Sequence, residues 1–367
     1  MKKFLLAMMI LVMLSSETFA MSLREKVGQL FVIRPDQLDT TLSLEDINDP
    51  KAAGVKNFSN VMRETLRQYP AGGFAIFGKN ITNPNQLKKF TSDLYNACEV
   101  VPIMAIDEEG GRVARIANHK AFNVPKYESM EAIGKTKDSR NAYNAASTIG
   151  QYISEYGFNM DFAPVADVNT NPENIIIGNR AFGSEPELVS KMVSAYLDGL
   201  HSQGIIGSIK HFPGHGDTRD DTHDSYVAVY KTWNELLQAE LIPFIENFDK
   251  ADTVMIAHIT MKNVTSDDLP ATLSKTIVTE KLRGELGYNG VIITDALGMG
   301  AIHDHYSSGE SAVLAFEAGC DILLRPYDYR EAFEAVLEAV ESGRISQERL
   351  DYSVQKILNL KNGGTKR

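Results

Sequence analysis

Cysteine is nearly absent from this chain. Cys98 and Cys320 are the only two in 367 residues, too few for a disulfide scaffold or a thiolate zinc site. They precede the third and eighth apolar runs of the chain, which are not neighbours in a closed eight-strand sheet, so both are expected to stay unpaired. Basic runs are missing as well. With 37 Lys and Arg against 48 Asp and Glu, the net charge is −11, and no positive face offers itself to nucleic acid or to an anionic membrane surface. The longest apolar run, Phe4 to Leu14, is far short of the roughly 20 residues that span a bilayer. No Pro-, Gly- or Ser-rich linker and no internal repeat divides the chain. Hydrophobic residues at 43% and charged ones at 23% exclude disordered and fibrous classes.

What is there begins with an address. Lys2 and Lys3 precede the apolar run, and Ser15, Ser16 and a Thr18-Phe19-Ala20 end follow it. A charged start, an apolar centre and a small-residue cleavage site together read as a secretory signal peptide over 1–20. The expected mature chain is 21–367, exported, and periplasmic or secreted. No cysteine follows the run to take a lipid, so no stable membrane anchor is expected.

From Met21 onward, short apolar runs alternate with amphipathic stretches. The runs are Leu30–Ile33, Gly73–Phe77, Val101–Ile106, Met160–Val165, Ile205–Ile209, Val254–Ile259, Gly290–Ile293 and Asp321–Leu324. Helical patterns lie over Asn85–Ala97, Arg140–Tyr156, Glu187–Gln203, Trp233–Phe248, Ser274–Leu286, Ala312–Ala318 and Arg330–Glu341. Apolar runs without alternation are the mark of strands buried on both faces. Eight such units predict an α/β fold, a single-domain (β/α)8 TIM barrel, with a doubly wound open sheet as the alternative. Pro35–Asn57 and Asn118–Asp138 read as loops, and helices at 330–341 and 346–361 are expected to close the barrel against the first strand.

A barrel of this kind carries its chemistry where strands end. Those positions are polar here: Asp107-Glu108-Glu109, Asp167, Lys210-His211, His258 and Asp295. The densest segment runs from Lys210-His211-Phe212-Pro213-Gly214-His215-Gly216-Asp217-Thr218 to Asp221-Thr222-His223-Asp224. Proline and two glycines make it an irregular loop. Its histidines and carboxylates admit two readings: a divalent-metal site built from His211, His215, Asp217 and His223, or a general acid/base pair of Asp221 and His223. Asp295 reads as a nucleophile, or as the N-cap of a helix over Ala296–Ile302.

The Lys-His-Phe-Pro-Gly-His-Gly-Asp-Thr segment followed by Asp-x-His resembles the glycoside hydrolase family 3 β-N-acetylglucosaminidases, of the single-domain type with an Asp-His acid/base dyad. Four further segments are similar to that family in the same order. They are Asp107 to Arg115, Phe162 to Asp167, Gly178-Asn-Arg180-Ala-Phe-Gly, and Ile293-Thr-Asp295-Ala-Leu-Gly-Met-Gly-Ala-Ile302. The resemblance implies Asp295 as the catalytic nucleophile, His223 as the acid/base and Asp221 as its partner. It implies that Asp107, Arg115, Arg180, Lys210 and His211 hold the sugar. The substrate so implied is a glycan with terminal N-acetylglucosamine, as in peptidoglycan fragments, acted on by a monomer with no cofactor and no metal. A β-glucosidase or phosphorylase of the same family stays open, because a histidine acid/base does not repel an anionic phosphate as a glutamate would. A catalytically dead peptidoglycan-binding protein is disfavoured by the intact Asp295, Asp221 and His223.

Overall fold

The computed structural model describes residues 21–218 and 227–363. The signal-peptide segment, Asp221 and His223 therefore lie outside the described residues. Eight parallel strands form one sheet: β1 Phe31–Ile33, β2 Gly73–Ile76, β3 Ile103–Ile106, β4 Met160–Asp161, β5 Ile206–Phe212, β6 Thr253–Ile256, β7 Val291–Thr294 and β8 Leu323–Leu324. Sheet order follows chain order, except that β8 pairs with β1 through Phe31↔Leu323. The ring closes where the N–H groups of Asp321 and Ile322 donate to the Ile292 carbonyl at 2.7 and 3.0 Å. The (β/α)8 barrel expected from the strand–helix alternation is thus the observed fold, with β1, β2, β3, β6 and β7 buried at every position.

Helices wrap the ring because their apolar residues repeat on one face. The helix Ser139–Glu155 buries Ala142, Ala145, Ala146, Ile149 and Ile153, and Asp138 caps its start. Its neighbour Pro186–Ser202 crosses so closely that a Cβ on Gly199 would lie 2.4 Å from the Tyr143 carbonyl oxygen. The last two helices, Tyr329–Glu341 and Gln347–Lys361, pack against the start of the barrel as expected. Tyr329 meets Phe31 edge-on at 5.3 Å, and Lys26 pairs with Asp351 at 2.7 Å. Cys98 and Cys320 are both unpaired. Among the described residues no helix is long and apolar enough to cross a membrane.

Several local expectations need correction. The helix over Trp233–Phe248 is broken into Trp233–Leu237 and Ile242–Ile245, because Pro243 lacks the N–H a continuous helix would need. Ser274–Leu286 holds a π-helical coil over Thr276–Glu285. The two presumed loops contain short helices, Leu44–Asn48 and Met130–Lys135. Two small ladders went unforeseen: Glu108–Gly110 with Val113–Ala114, and Val227–Val229 with Ile259–Met261. Strands of two or three residues carry no readable periodicity. Lys210 and His211 lie inside β5, which runs on to Phe212, rather than after it.

Candidate active site

Asp107 follows β3 directly, and the Glu-Glu-Gly-Gly-Arg segment behind it folds back over the strand end. The buried Glu108 carboxylate drives this turn. It accepts the N–H groups of Arg115, Ile116 and Ala117 at 2.6, 2.9 and 2.8 Å, and the Tyr152 hydroxyl at 2.9 Å. Gly110 and Gly111, at φ of 90° and 59°, supply the left-handed backbone that the turn requires. Arg115 is thereby returned to Asp107, donating to its Oδ2 at 2.9 Å.

Lys210 comes from β5 on the other side. Its Nζ lies 3.1 Å from Asp107 Oδ1 and 2.5 Å from Glu109 Oε1. Arg180 forks onto the same Glu109 at 2.9 and 2.8 Å. Burial alone would raise these carboxylates, but the cations win. Lys210 and Arg115 hold Asp107 well below the usual range, and Arg180 and Lys210 hold Glu109 at about 2. Burial works against the Lys210 ammonium, yet Glu109 and Asp107 raise it.

His211 is oriented by Asp167. Its Nδ1 stands 2.7 Å from Asp167 Oδ2, and Asp167 Oδ1 accepts the His215 N–H at 2.7 Å. Its Nε2 lies 3.5 Å from Arg180 Nη2. His215 pairs Nδ1 with Thr218 Oγ1 at 2.7 Å, and its carbonyl accepts from Asn174 at 2.8 Å. Burial, helped by the nearby His211, pulls His215 down to about 4. Asp217 pairs with Lys231 at 3.2 Å. His211, His215 and Asp217 are thus committed to separate partners, a poor start for the four-ligand metal site. Among the described residues no cluster of three or more such side chains is placed to hold a metal.

Asp295 follows β7 and is half-buried. The Ala296 N–H fixes its Oδ1 at 2.7 Å. Burial would raise it, but His258, His211, that N–H and Lys210 leave the carboxyl below its ordinary range. It is not a helix cap: the short helix Gly300–His303 begins with Met299. His258 is buried behind it, with Nε2 3.0 Å from the Ala296 carbonyl and Nδ1 2.8 Å from Thr272. Its place between β6 and Ile259–Met261 supports the Asp295 backbone.

Asp107, Arg115, Arg180, Lys210 and His211 are therefore brought together, with Asp295 across the same barrel end. Glu109 and Asp167 were legible as strand-end acids but carried no assigned role; each is the anchor of a cation or imidazole here. Arg34 and Arg325 were not singled out at all. Both stand directly behind the apolar runs of β1 and β8, so the rule that found Asp295 would have found them.

The chain matches the glycosyl hydrolase family 3 N-terminal domain over residues 22–360. It is 34% identical over 326 residues to β-hexosaminidase A of Pseudoalteromonas piscicida, covering 82% of this chain and 54% of that protein. It thus spans about half the length of that relative. To the β-hexosaminidase of Tolumonas auensis it is 32% identical over 308 residues, covering 82% of this chain and 87% of that one. A family 3 β-N-acetylglucosaminidase structure from a Paenibacillus species superposes with a TM-score of 0.84 at 38% identity, over 94% of this chain and 62% of that one. A matched domain over almost the whole chain places this protein in glycoside hydrolase family 3.

Proposed function

We propose that the protein is a retaining exo-β-N-acetylglucosaminidase that releases terminal N-acetylglucosamine, with peptidoglycan fragments as its source of substrate. The observation that carries this reading is the Asp295 carboxylate. It stands at a strand end, is fixed through one oxygen, and is kept ionised in part by the charges of His211 and Lys210. The names of the hexosaminidase relatives support the acetamido sugar. The leader-like segment at 1–20 supports an exported, periplasmic or secreted enzyme.

In this reading Asp107, Arg115, Arg180, Lys210 and His211 take the sugar's hydroxyls through charged donors and acceptors. An Asp295 oxygen attacks the anomeric carbon, the bond to the leaving oxygen breaks, and His223 gives that oxygen its proton. Asp221 orients the His223 ring and favours its charged form. Water then attacks the glycosyl-Asp295 ester, losing its proton to His223, and the carboxylate is regenerated.

Turnover of a panel of 4-nitrophenyl β-glycosides, with and without phosphate and EDTA, tests the reading. The expected result is preference for the N-acetylglucosaminide, no stimulation by phosphate and no loss with EDTA. A slow 2-fluoro sugar should leave its adduct on Asp295. His223→Ala should cost about 10²–10⁴ on a natural disaccharide, and azide should restore turnover of an activated substrate with a β-azide product. Absence of both the adduct and the azide rescue overturns the mechanism.

A further inference from the structure

Two arcs of strand ends join Asp295 to Asp107 around the barrel mouth. One passes β6, β5 and β4; the other passes β8, β1 and β2. On the first arc Lys210, Arg180 and His211 each face a carboxylate or an imidazole. The second carries Arg325, directly after β8, and Arg34, directly after β1, and these face no carboxylate within hydrogen-bond distance among the described residues.

Arg34 is 3% exposed, yet its Nε and Nη2 have no hydrogen-bond partner. The nearest acid, Asp36, stands 3.6 Å from Nε and is already taken by Asn80 at 2.7 Å and the Val55 N–H at 3.1 Å. Arg325 also has a buried Nε without a partner. Its backbone is left-handed, φ 42°, a conformation that a branched or long side chain seldom adopts. The N–H of Arg325 is held by the Val32 carbonyl at 2.8 Å, and its own carbonyl accepts from Gly298 at 2.9 Å.

Both side chains lie over Phe77, beside Arg115. The guanidinium carbons of Arg34, Arg325 and Arg115 lie 5.7, 5.5 and 5.8 Å from the centre of the Phe77 ring, and Arg115 is the cation that grips Asp107. Asp295 and Asp107 both act on the charge of Arg325. Burial and the neighbouring Arg34 nevertheless pull that guanidinium down to about 10. Three cations, Arg34, Arg325 and Lys79, around one already bonded carboxylate, Asp36, leave this arc with surplus positive charge.

We propose that Arg34 and Arg325 form an anion subsite of the sugar pocket, taking a carboxylate or phosphate carried by the cleaved sugar itself. This rests on the reading that Asp295 and Asp107 bracket that sugar, and it replaces the plain N-acetylglucosamine of that reading with an anionic derivative as the preferred cleaved sugar. A hydroxyl or acetamido oxygen would use one or two of the free donors but leave the charges uncompensated in a low-dielectric site. An anion satisfies both, and each guanidinium fork can take a pair of its oxygens. The arc lies between the attacking carboxylate and Asp107, beside the ring, so the anion belongs to the sugar rather than to its leaving group.

Calorimetry on the full chain tests this without turnover. The ligands are N-acetylglucosamine, its 6-phosphate, its uronic acid form, and the phenyl and 4-carboxyphenyl 1-thio-β-N-acetylglucosaminides. The wild-type protein should bind an anionic sugar roughly tenfold to a hundredfold more tightly than the neutral one. Arg325→Met and Arg34→Met should each shrink that ratio, the double variant should bring it near one, and Arg325→Lys should keep part of it. Equal or weaker wild-type binding of both anionic sugars overturns the proposal. So does a preference seen only with the 4-carboxyphenyl thioglycoside, which would move the anion to the leaving group. If a Met variant fails to fold, the wild-type ratio and Arg325→Lys still decide. Failure of the glycosidase reading would show separately, as absent turnover of the 4-nitrophenyl substrate with the binding ratio intact.

Discussion

The two arcs of the barrel mouth solve the same electrostatic problem in opposite ways. From β3 to β5 the charges are buried in pairs: Lys210 between Asp107 and Glu109, Arg180 forked onto Glu109, His211 against Asp167. From β8 to β2 Arg325 is brought in without such a partner, and Arg34 has only Asp36 at 3.6 Å, beyond hydrogen-bond reach. A compensated lattice fixes side chains in place before any ligand arrives. An uncompensated one stores a demand for negative charge that only a ligand, water or a strong field can meet. On the proposed reading, rigid positioning and selective attraction fall to different arcs of one barrel mouth.

Asp295 stands where the arcs meet, and its loss should have the largest effect. On the proposed mechanism Asp295→Ala removes the atom that forms the covalent bond, so every substrate should fail alike, whatever its leaving group, by roughly 10⁴-fold in kcat/KM. Neutral and anionic sugars should nevertheless still bind. A loss confined to poor leaving groups would transfer the nucleophile's role elsewhere.

Next comes the paired wall. Lys210→Met leaves Asp107 and Glu109 facing each other in a buried site with Arg115 and Arg180 alone to balance them. Breaking one partner out of a buried network of this kind costs about 3–5 kcal/mol, which denaturant unfolding would read directly. An unfolding midpoint unchanged from wild type would mean that the lattice is not a rigid element.

The same wall should make the protein acid-labile. His215 falls to about 4 in the fold, from an ordinary value near 6.5, so the folded state binds fewer protons than the unfolded one between those limits. The contribution is intact above pH 6.5 and is lost as the pH falls toward 4, by on the order of 3 kcal/mol. Asp107, Glu109, Asp167 and Asp295 are all depressed, so their contributions are present above the ordinary carboxylate range and disappear at still lower pH. Burial raises Asp161 and Glu108, whose contributions run the opposite way, so the histidine's share is read by comparing wild type with His215→Gln at pH 7 and pH 5. His215→Gln should flatten the difference.

Much of this was legible in the sequence. Val-Ile-Ile-Thr before Asp295 and Ile-Met-Ala-Ile before Asp107 marked buried strands and the acids at their ends, because a parallel barrel needs both faces apolar. What pairs with what was not legible. Glu108 and Glu109 are adjacent and chemically alike, yet one closes a backbone turn and the other anchors two cations. Only the alternation of the short Glu108–Gly110 strand decides which faces the pocket. Arg34 and Arg325 are almost 300 positions apart and meet only because β8 closes on β1. Neither apolar run signals that its following arginine will be left without a carboxylate.

The smallest expected effect is the one that separates the two walls most cleanly. Arg325→Met removes a cation, as Lys210→Met does, from the same end of the same barrel. Here no carboxylate is left behind within hydrogen-bond distance, and the neighbouring Arg34 loses a like charge. Methionine keeps much of the side-chain length over Phe77, and the left-handed backbone at this position is no worse for it than for arginine. Replacing an uncompensated buried charge by an apolar group of similar reach is neutral or stabilising. The unfolding free energy should therefore stay within about 1 kcal/mol of wild type or rise slightly, against the several lost at Lys210. A loss at Arg325 as large as that at Lys210 would mean that its guanidinium is a structural partner of Asp295 or Asp107, and the contrast between the arcs would collapse. A neutral result would leave its charge free to be used by a ligand.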